Sequence, residues 1–186
     1  MNIFVLDSDP LKAAEYHCNK HVVKMILESA QMLCTAHWIS LLDSKSKKIS
    51  DFKRVRDCQD WLKSNTPVAD QPPWKMTHIN HPCSIWTRES LENYKWHSKL
   101  GLALCDEYTK RYEKVHKSLG VHLWLSNHEP LLPSFSLTEH PRCVPDDCKA
   151  ASGDPVTAYR DYYNRYKNRF AKWEPKSQTP SWYTGK

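Results

Sequence analysis

The sequence predicts a mainly α-helical fold: one compact helical domain, residues 1–186, with two long helices, a short N-terminal extended segment and a C-terminal basic-aromatic helix. Three observations carry this. Apolar residues recur at spacings of three and four over two long stretches, about 10–42 and 82–115, the period of a helix with one face turned inward. Helical patterns open at Asp9-Pro10, His81-Pro82 and Asp154-Pro155, where proline sits in a first turn that has no partner for an N–H in any case. Only one short apolar run, residues 2–6 (NIFVL), has the length of a small strand.

The elements follow in order. Behind the strand-like run, Asp9 is a good cap for a helix over about 10–42. Val23, Ile26 or Leu27, Ala30 and Leu33 mark its inner face, and a bend is expected near Cys18-Asn19. Residues 43–65 are polar and basic, a loop with one short helix over 52–62. Pro67, Pro72 and Pro73 make 66–74 a loop. The second long helical pattern starts at His81-Pro82, with Ile85, Trp86, Leu100, Leu104, Tyr108 and Val115 as markers and Gly101 as an unfavourable residue in the middle. Residues 130–145 read as loop, and 156–173 as a third helix. There is no internal repeat and no low-complexity tract.

Size and composition set bounds. For 186 residues and 21.8 kDa, surface scaling gives roughly 9,000 Å² folded against about 32,000 Å² unfolded, enough for a sizeable core. No apolar run approaches the roughly 18 residues of a membrane span. The N-terminus lacks the basic and long apolar regions of a secretory signal. Seven cysteines without such a signal point to a reduced, cytoplasmic chain. The net charge is +6, a mild preference for a polyanion. That charge is uneven. Residues 155–186 hold seven basic and two acidic residues, and eight of the 21 Phe, Trp and Tyr residues. Trp182-Tyr183 lies behind Pro180, beyond the helical spacing, so it is the expected base-stacking pair.

Three further groups carry candidate chemistry. On the first helix, His17, Lys20, His21, Lys24, Glu28 and Gln31 form one stripe. A carboxylate among lysines and histidines suits acid/base or Schiff-base chemistry, so Glu28, Lys24, Lys20 and His21 are the catalytic candidates. His78, Asn80 and His81 crowd a turn before a helix, where an anion can dock. Arg88, Asn93, Arg111 and Lys114 lie along the second long pattern and are the candidate phosphate contacts. His17-Cys18-x-x-His21, His78-x-x-His81-x-Cys83 and Cys143-x4-Cys148 contain ligand-type residues, but there is no CxxC pair and no HExxH. No metal and no cofactor is expected. Walker A, GxGxxG and GxSxG motifs are absent too.

The stretch NIFVLDSDPLKAAEYHCNKHVVKMILESAQML, the run THINHPCSIW and the run EYTKRYEKVHK resemble a group of small proteins encoded by tailed bacteriophages. That resemblance covers most of the chain and implies a setting, the infected bacterial cell, but no activity. The order of parts is also distantly similar to the pyrimidine-dimer DNA glycosylase/AP lyase family of the endonuclease V type. There a glutamate on the first helix lies among basic residues, and a Pro-x-Trp-Tyr sequence lies near the C-terminus. The counterparts here are Glu28 with Lys20 and Lys24, the run 104–111, and Pro180-Ser181-Trp182-Tyr183. That family attacks the sugar with an α-amine exposed by removal of the initiator methionine before a small residue. This sequence reads Met1-Asn2, so the Met1 amine, Lys20 or Lys24 would stand in, or the lyase step is absent.

The expected function is a phage-encoded enzyme acting on DNA bases, an N-glycosylase or glycosylase/lyase, with DNA or a nucleotide as partner and no membrane. The alternatives are a base- or nucleotide-modifying transferase for phage DNA, with the His78–His81 turn on a phosphate, and a non-catalytic DNA-binding or anti-defence protein.

Overall fold

The computed structural model describes residues 1–150 and 153–185. Its helices are α1 (Pro10–Tyr16), α2 (Asn19–Ser44), α3 (Val55–Ser64), α4 (Pro82–Thr87), α5 (Leu91–Tyr112), α6 (Leu119–Asn127), α7 (Asp146–Ala150) and α8 (Pro155–Tyr162). Among the described residues there is no strand. Residues 2–6 form an extended segment, buried from Ile3 on, that pairs with no second strand among the described residues. They lie antiparallel to α2, with Phe4 stacked on His21 at 4.4 Å and the Asn2 amide bonded to Glu28 at 3.2 Å.

The first long stretch is broken where a bend was expected. His17 and Cys18 are extended, and α2 restarts at Asn19. A helix end leaves carbonyls without partners, and here remote side chains supply them. Arg111 donates to the Glu15 carbonyl (2.8 Å) and the His17 carbonyl (2.7 Å), and Trp173 Nε1 donates to the Tyr16 carbonyl (3.0 Å). The second long stretch is likewise two helices, α4 and α5. Ser90 caps α5 through the Asn93 amide (3.1 Å), and Asn93 Nδ2 returns to the Trp86 carbonyl at the end of α4 (2.9 Å).

α5 packs against α1 and α2, and α6 rests on α5 and α2. One large core joins the N-terminal segment to α1, α2, α4, α5 and α8, and two smaller ones lie under α6 and α3. Val22 and Ile26 form the inner face of α2, whereas Val23 and Leu27 are exposed. The expected marker Val23 is therefore one residue out of register. Gly101 has a packing role: a Cβ there would lie 2.4 Å from the ring of His122, whose Nε2 reaches the Ile26 carbonyl at 2.9 Å. The helix expected over 156–173 stops at Tyr162 and widens into a π-turn over Tyr163–Lys167, with the Tyr163 ring buried in the core. Among the described residues, no helix is long and apolar enough to cross a membrane.

Candidate functional site

Glu28 lies on the inner side of α2, about 9% exposed, beside the start of the N-terminal segment. Three nitrogens converge on it. Lys24 Nζ is 3.1 Å from Oε1, the Met1 amine is 3.8 Å from Oε2, and the Asn2 amide donates to Oε2 at 3.2 Å. Lys24 reaches in from the surface, 65% exposed, whereas only 4% of the Met1 side chain is accessible. The helical repeat supplies the Lys24–Glu28 pair. The fold supplies the Met1 contact.

Asn2 links this carboxylate to a second group. Its Oδ1 accepts from the Cys83 thiol (3.3 Å) and the Tyr159 hydroxyl (2.7 Å), and its Nδ2 donates to the Cys143 carbonyl (2.8 Å). Cys83 and Cys143 are in sulfur contact at 3.7 Å. The sulfur contact and burial push Cys83 up, and the same contact lowers Cys143 below the ordinary thiol range while its own burial opposes this. His81 caps α4 by accepting the Cys83 amide on Nδ1 (3.2 Å). Burial lowers its pKa, the Met1 amine and His78 add to this, and the Glu28 charge opposes it. His81 therefore belongs to the same site. His78 and Asn80 are exposed and line a shallow groove with Val55, Thr77, Ile79 and His81. His78 holds a left-handed backbone, φ 48°, a conformation that costs a non-glycine residue on the order of 1 kcal/mol. A neighbouring groove, sharing Thr77, runs past Leu27 and Gln31 on α2 to Lys63, Trp74 and Lys75.

Several expected site residues are elsewhere. His21 is buried among aromatic rings, bonded to the Tyr163 hydroxyl, and burial holds its pKa at about 2. It is a neutral core group, not an acid or base near neutral pH. Lys20 is two turns from Glu28, with its ammonium 5.2 Å from the Phe170 ring. Arg111 is no phosphate contact. Its side chain is fully buried, paired with Glu107 at 2.7 Å and spent on the α1–α2 break. Asn93 is equally internal, bonded to Trp86 and Thr138. Arg88 caps the end of α4, and burial lowers its pKa with Asp43 opposing. Lys114 is exposed just beyond α5, outside the Glu28 cluster. Trp182 and Tyr183 are not free stacking groups. Trp182 meets Tyr16 and Tyr163 edge-on with Arg160 over its ring, and Tyr183 lies on Trp173 at 4.6 Å.

Asn2, Cys83, Cys143 and Tyr159 were not among the expected site residues. The one sequence signal was that Cys83 and Cys143 stand in two of the three ligand-type runs, which spacing alone does not join. A cavity of about 550 Å³ lies away from this cluster, between Glu15, Tyr16, Lys110 and residues 177–181. No family model, curated protein or solved structure matches the chain.

The chemistry open to the site follows from its groups. A nearly buried carboxylate beside two amines can hold an amine in place or face a positive charge that develops on a substrate. Of the two grooves, one carries His81 on its lining and the other is bordered by Lys63, Lys75 and Trp74. A second basic surface lies around Phe170, where Lys20, Lys167 and Arg169 stand 5.2, 5.9 and 6.0 Å from one ring.

Proposed function

We propose that the chain is an enzyme acting on DNA bases, an N-glycosylase with an associated lyase step. The observation that carries the reading is the Met1 amine and the Lys24 ammonium on the single carboxylate of Glu28. In this reading the Met1 amine, in its neutral form, attacks C1′ of the nucleotide. The glycosidic C–N bond breaks, its electron pair leaves with the base, and the base takes a proton. Glu28 faces the positive charge that builds on the sugar, and Lys24 holds the carboxylate in place. The C1′–O4′ bond then breaks, O4′ takes the proton given up by the amine, and the adduct is a protonated imine. Loss of the C2′ proton to a base forms the C2′–C3′ double bond as the C3′–O bond breaks and the 3′ phosphate leaves. Water later hydrolyses the imine to free the amine. Support for a DNA partner comes from the grooves with Lys63, Lys75 and Trp74 and from the basic groups around Phe170. Phosphates favour the basic side chains, and an aromatic face accepts any base.

The test is borohydride trapping on duplexes carrying an abasic site or a cyclobutane pyrimidine dimer. A covalent protein–DNA adduct mapped to Met1 is the expected result. An N-terminal extension or acetylation should abolish it, while Lys24→Ala should only weaken it. If neither duplex yields an adduct or an abasic product, the reading fails.

A further inference from the structure

We propose that His81, Cys83 and Cys143 form a zinc site with three protein ligands and one open position, distinct from the Glu28 carboxylate but next to it. One ligand-type atom from each of the three side chains lies within 4.8 Å of the others. The sulfur spacing is informative. Two thiolates at 2.3 Å from a tetrahedral zinc stand about 3.8 Å apart, and Cys83 and Cys143 are already at 3.7 Å. A disulfide needs about 2.05 Å. The donor set is one imidazole and two sulfurs with no carboxylate, which suits zinc and excludes calcium and magnesium.

The spacing is also held from outside. Cys83 is fixed by the first turn of α4. Cys143 comes from a loop 60 residues away, and both its backbone polar groups are pinned. Its carbonyl accepts from Asn2 Nδ2 at 2.8 Å, and its amide donates to the Tyr159 hydroxyl at 3.2 Å. Partners of this type orient the ligands in metal sites, and their loss weakens metal binding by about 10- to 100-fold.

Metal binding carries one structural cost. In this structure His81 Nδ1 takes the Cys83 amide. If Nδ1 binds zinc, that lone pair is used. If Nε2 binds zinc, the proton moves to Nδ1, which then cannot accept. In either case the Cys83 amide loses its cap, so zinc should be felt in the first turn of α4. Loading places a divalent cation one residue's span from Glu28, because Asn2 touches both groups.

The test uses the full chain, purified under reducing conditions without chelator and with no DNA present. Expected are about one zinc per chain, two of the seven thiols protected from a thiol reagent until zinc is removed, and, on cobalt substitution, the charge-transfer and strong visible bands of a tetrahedral thiolate site. Cys143→Ser should weaken zinc binding by more than about 100-fold, and Cys34→Ser should not. Amide exchange at Cys83 should differ between the apo and zinc forms. Cys143 is on a loop, so its variant should stay folded. If Cys143→Ser does unfold, thiol protection and the cobalt spectrum of the wild-type chain still decide. Folded, reduced wild-type protein that takes up neither zinc nor cobalt overturns the proposal. So does rapid Cys83–Cys143 disulfide formation with no metal found, or a Cys83→Ser/Cys143→Ser variant that keeps its zinc. Glu28→Gln should retain zinc while losing the trapped adduct, so the two proposals fail separately.

Discussion

Glu28 and Arg111 are both buried charged side chains, yet they lead to opposite expectations. Glu28 is partnered by two amines, one of them reaching in from solvent. Glu28→Gln keeps the shape and removes the charge, so borohydride trapping should fall by about 100-fold or more while circular dichroism stays unchanged. An equal loss of helical signal would make Glu28 structural and sink the catalytic role. Arg111 is instead committed to Glu107, the Glu15 and His17 carbonyls and Asn19 Oδ1. Arg111→Met leaves Glu107 buried without its closest partner and should cost about 3–5 kcal/mol in urea unfolding. A true phosphate ligand would instead lower the salt slope of DNA binding by about 1. A stable Met variant with a reduced slope would restore the phosphate role.

At the scale of elements, the packing of α6 on α5 shows tertiary structure overriding helix propensity. Alanine is better than glycine inside a helix by about 1 kcal/mol, yet a Cβ at Gly101 would collide with the His122 ring. Gly101→Ala should therefore destabilise the chain by about 1–3 kcal/mol, and a raised melting temperature would contradict that packing. The C-terminal element invites a similar reassessment. Its aromatic residues dock on the core, and Arg160 and Arg165 pair with Asp7, Asp147 and Asp161. The outward basic groups cluster around Phe170 instead. Replacing Lys20, Lys167 and Arg169 by glutamine should reduce the salt slope of duplex binding by about 1 for each phosphate no longer neutralised, without a change in melting temperature. An unchanged slope would remove this surface from the DNA path.

The whole molecule carries an unusual load of buried neutral histidines. Burial lowers His17, His37 and His122 to about 4, His140 to about 3 and His21 to about 2, and pushes His97 well down. The unfolded chain binds these protons near pH 6.5. Stability is therefore full above pH 6.5 and falls as the pH drops toward 4, because the unfolded state takes up protons that the folded state refuses. Each such group contributes a slope of about 1.4 kcal/mol per pH unit in that window. Urea midpoints should drop steeply between pH 7 and pH 5, and His122→Gln should shallow the slope. A midpoint constant over that range would show that these rings are not buried neutral.

Local relations were legible in the sequence. Helical class, two long helical stretches, a bend near Cys18-Asn19 (in the structure a full break) and the Lys24–Glu28 pair all depend on residues three or four apart, or on a cap beside a proline. Those preferences act within one turn and need no knowledge of the rest of the chain. Only the tertiary structure decided which charges were buried and which were free. Arg111 and Asn93 look like surface groups in a helical pattern, but the α1–α2 and α4–α5 breaks consume them. The site was decided in the same way. Met1 and Asn2 meet Glu28 about 26 residues away, Cys83 meets Cys143 across 60, and Asn2 meets Cys143 across 141. No periodicity links positions that far apart, because their meeting depends on how every helix between them packs.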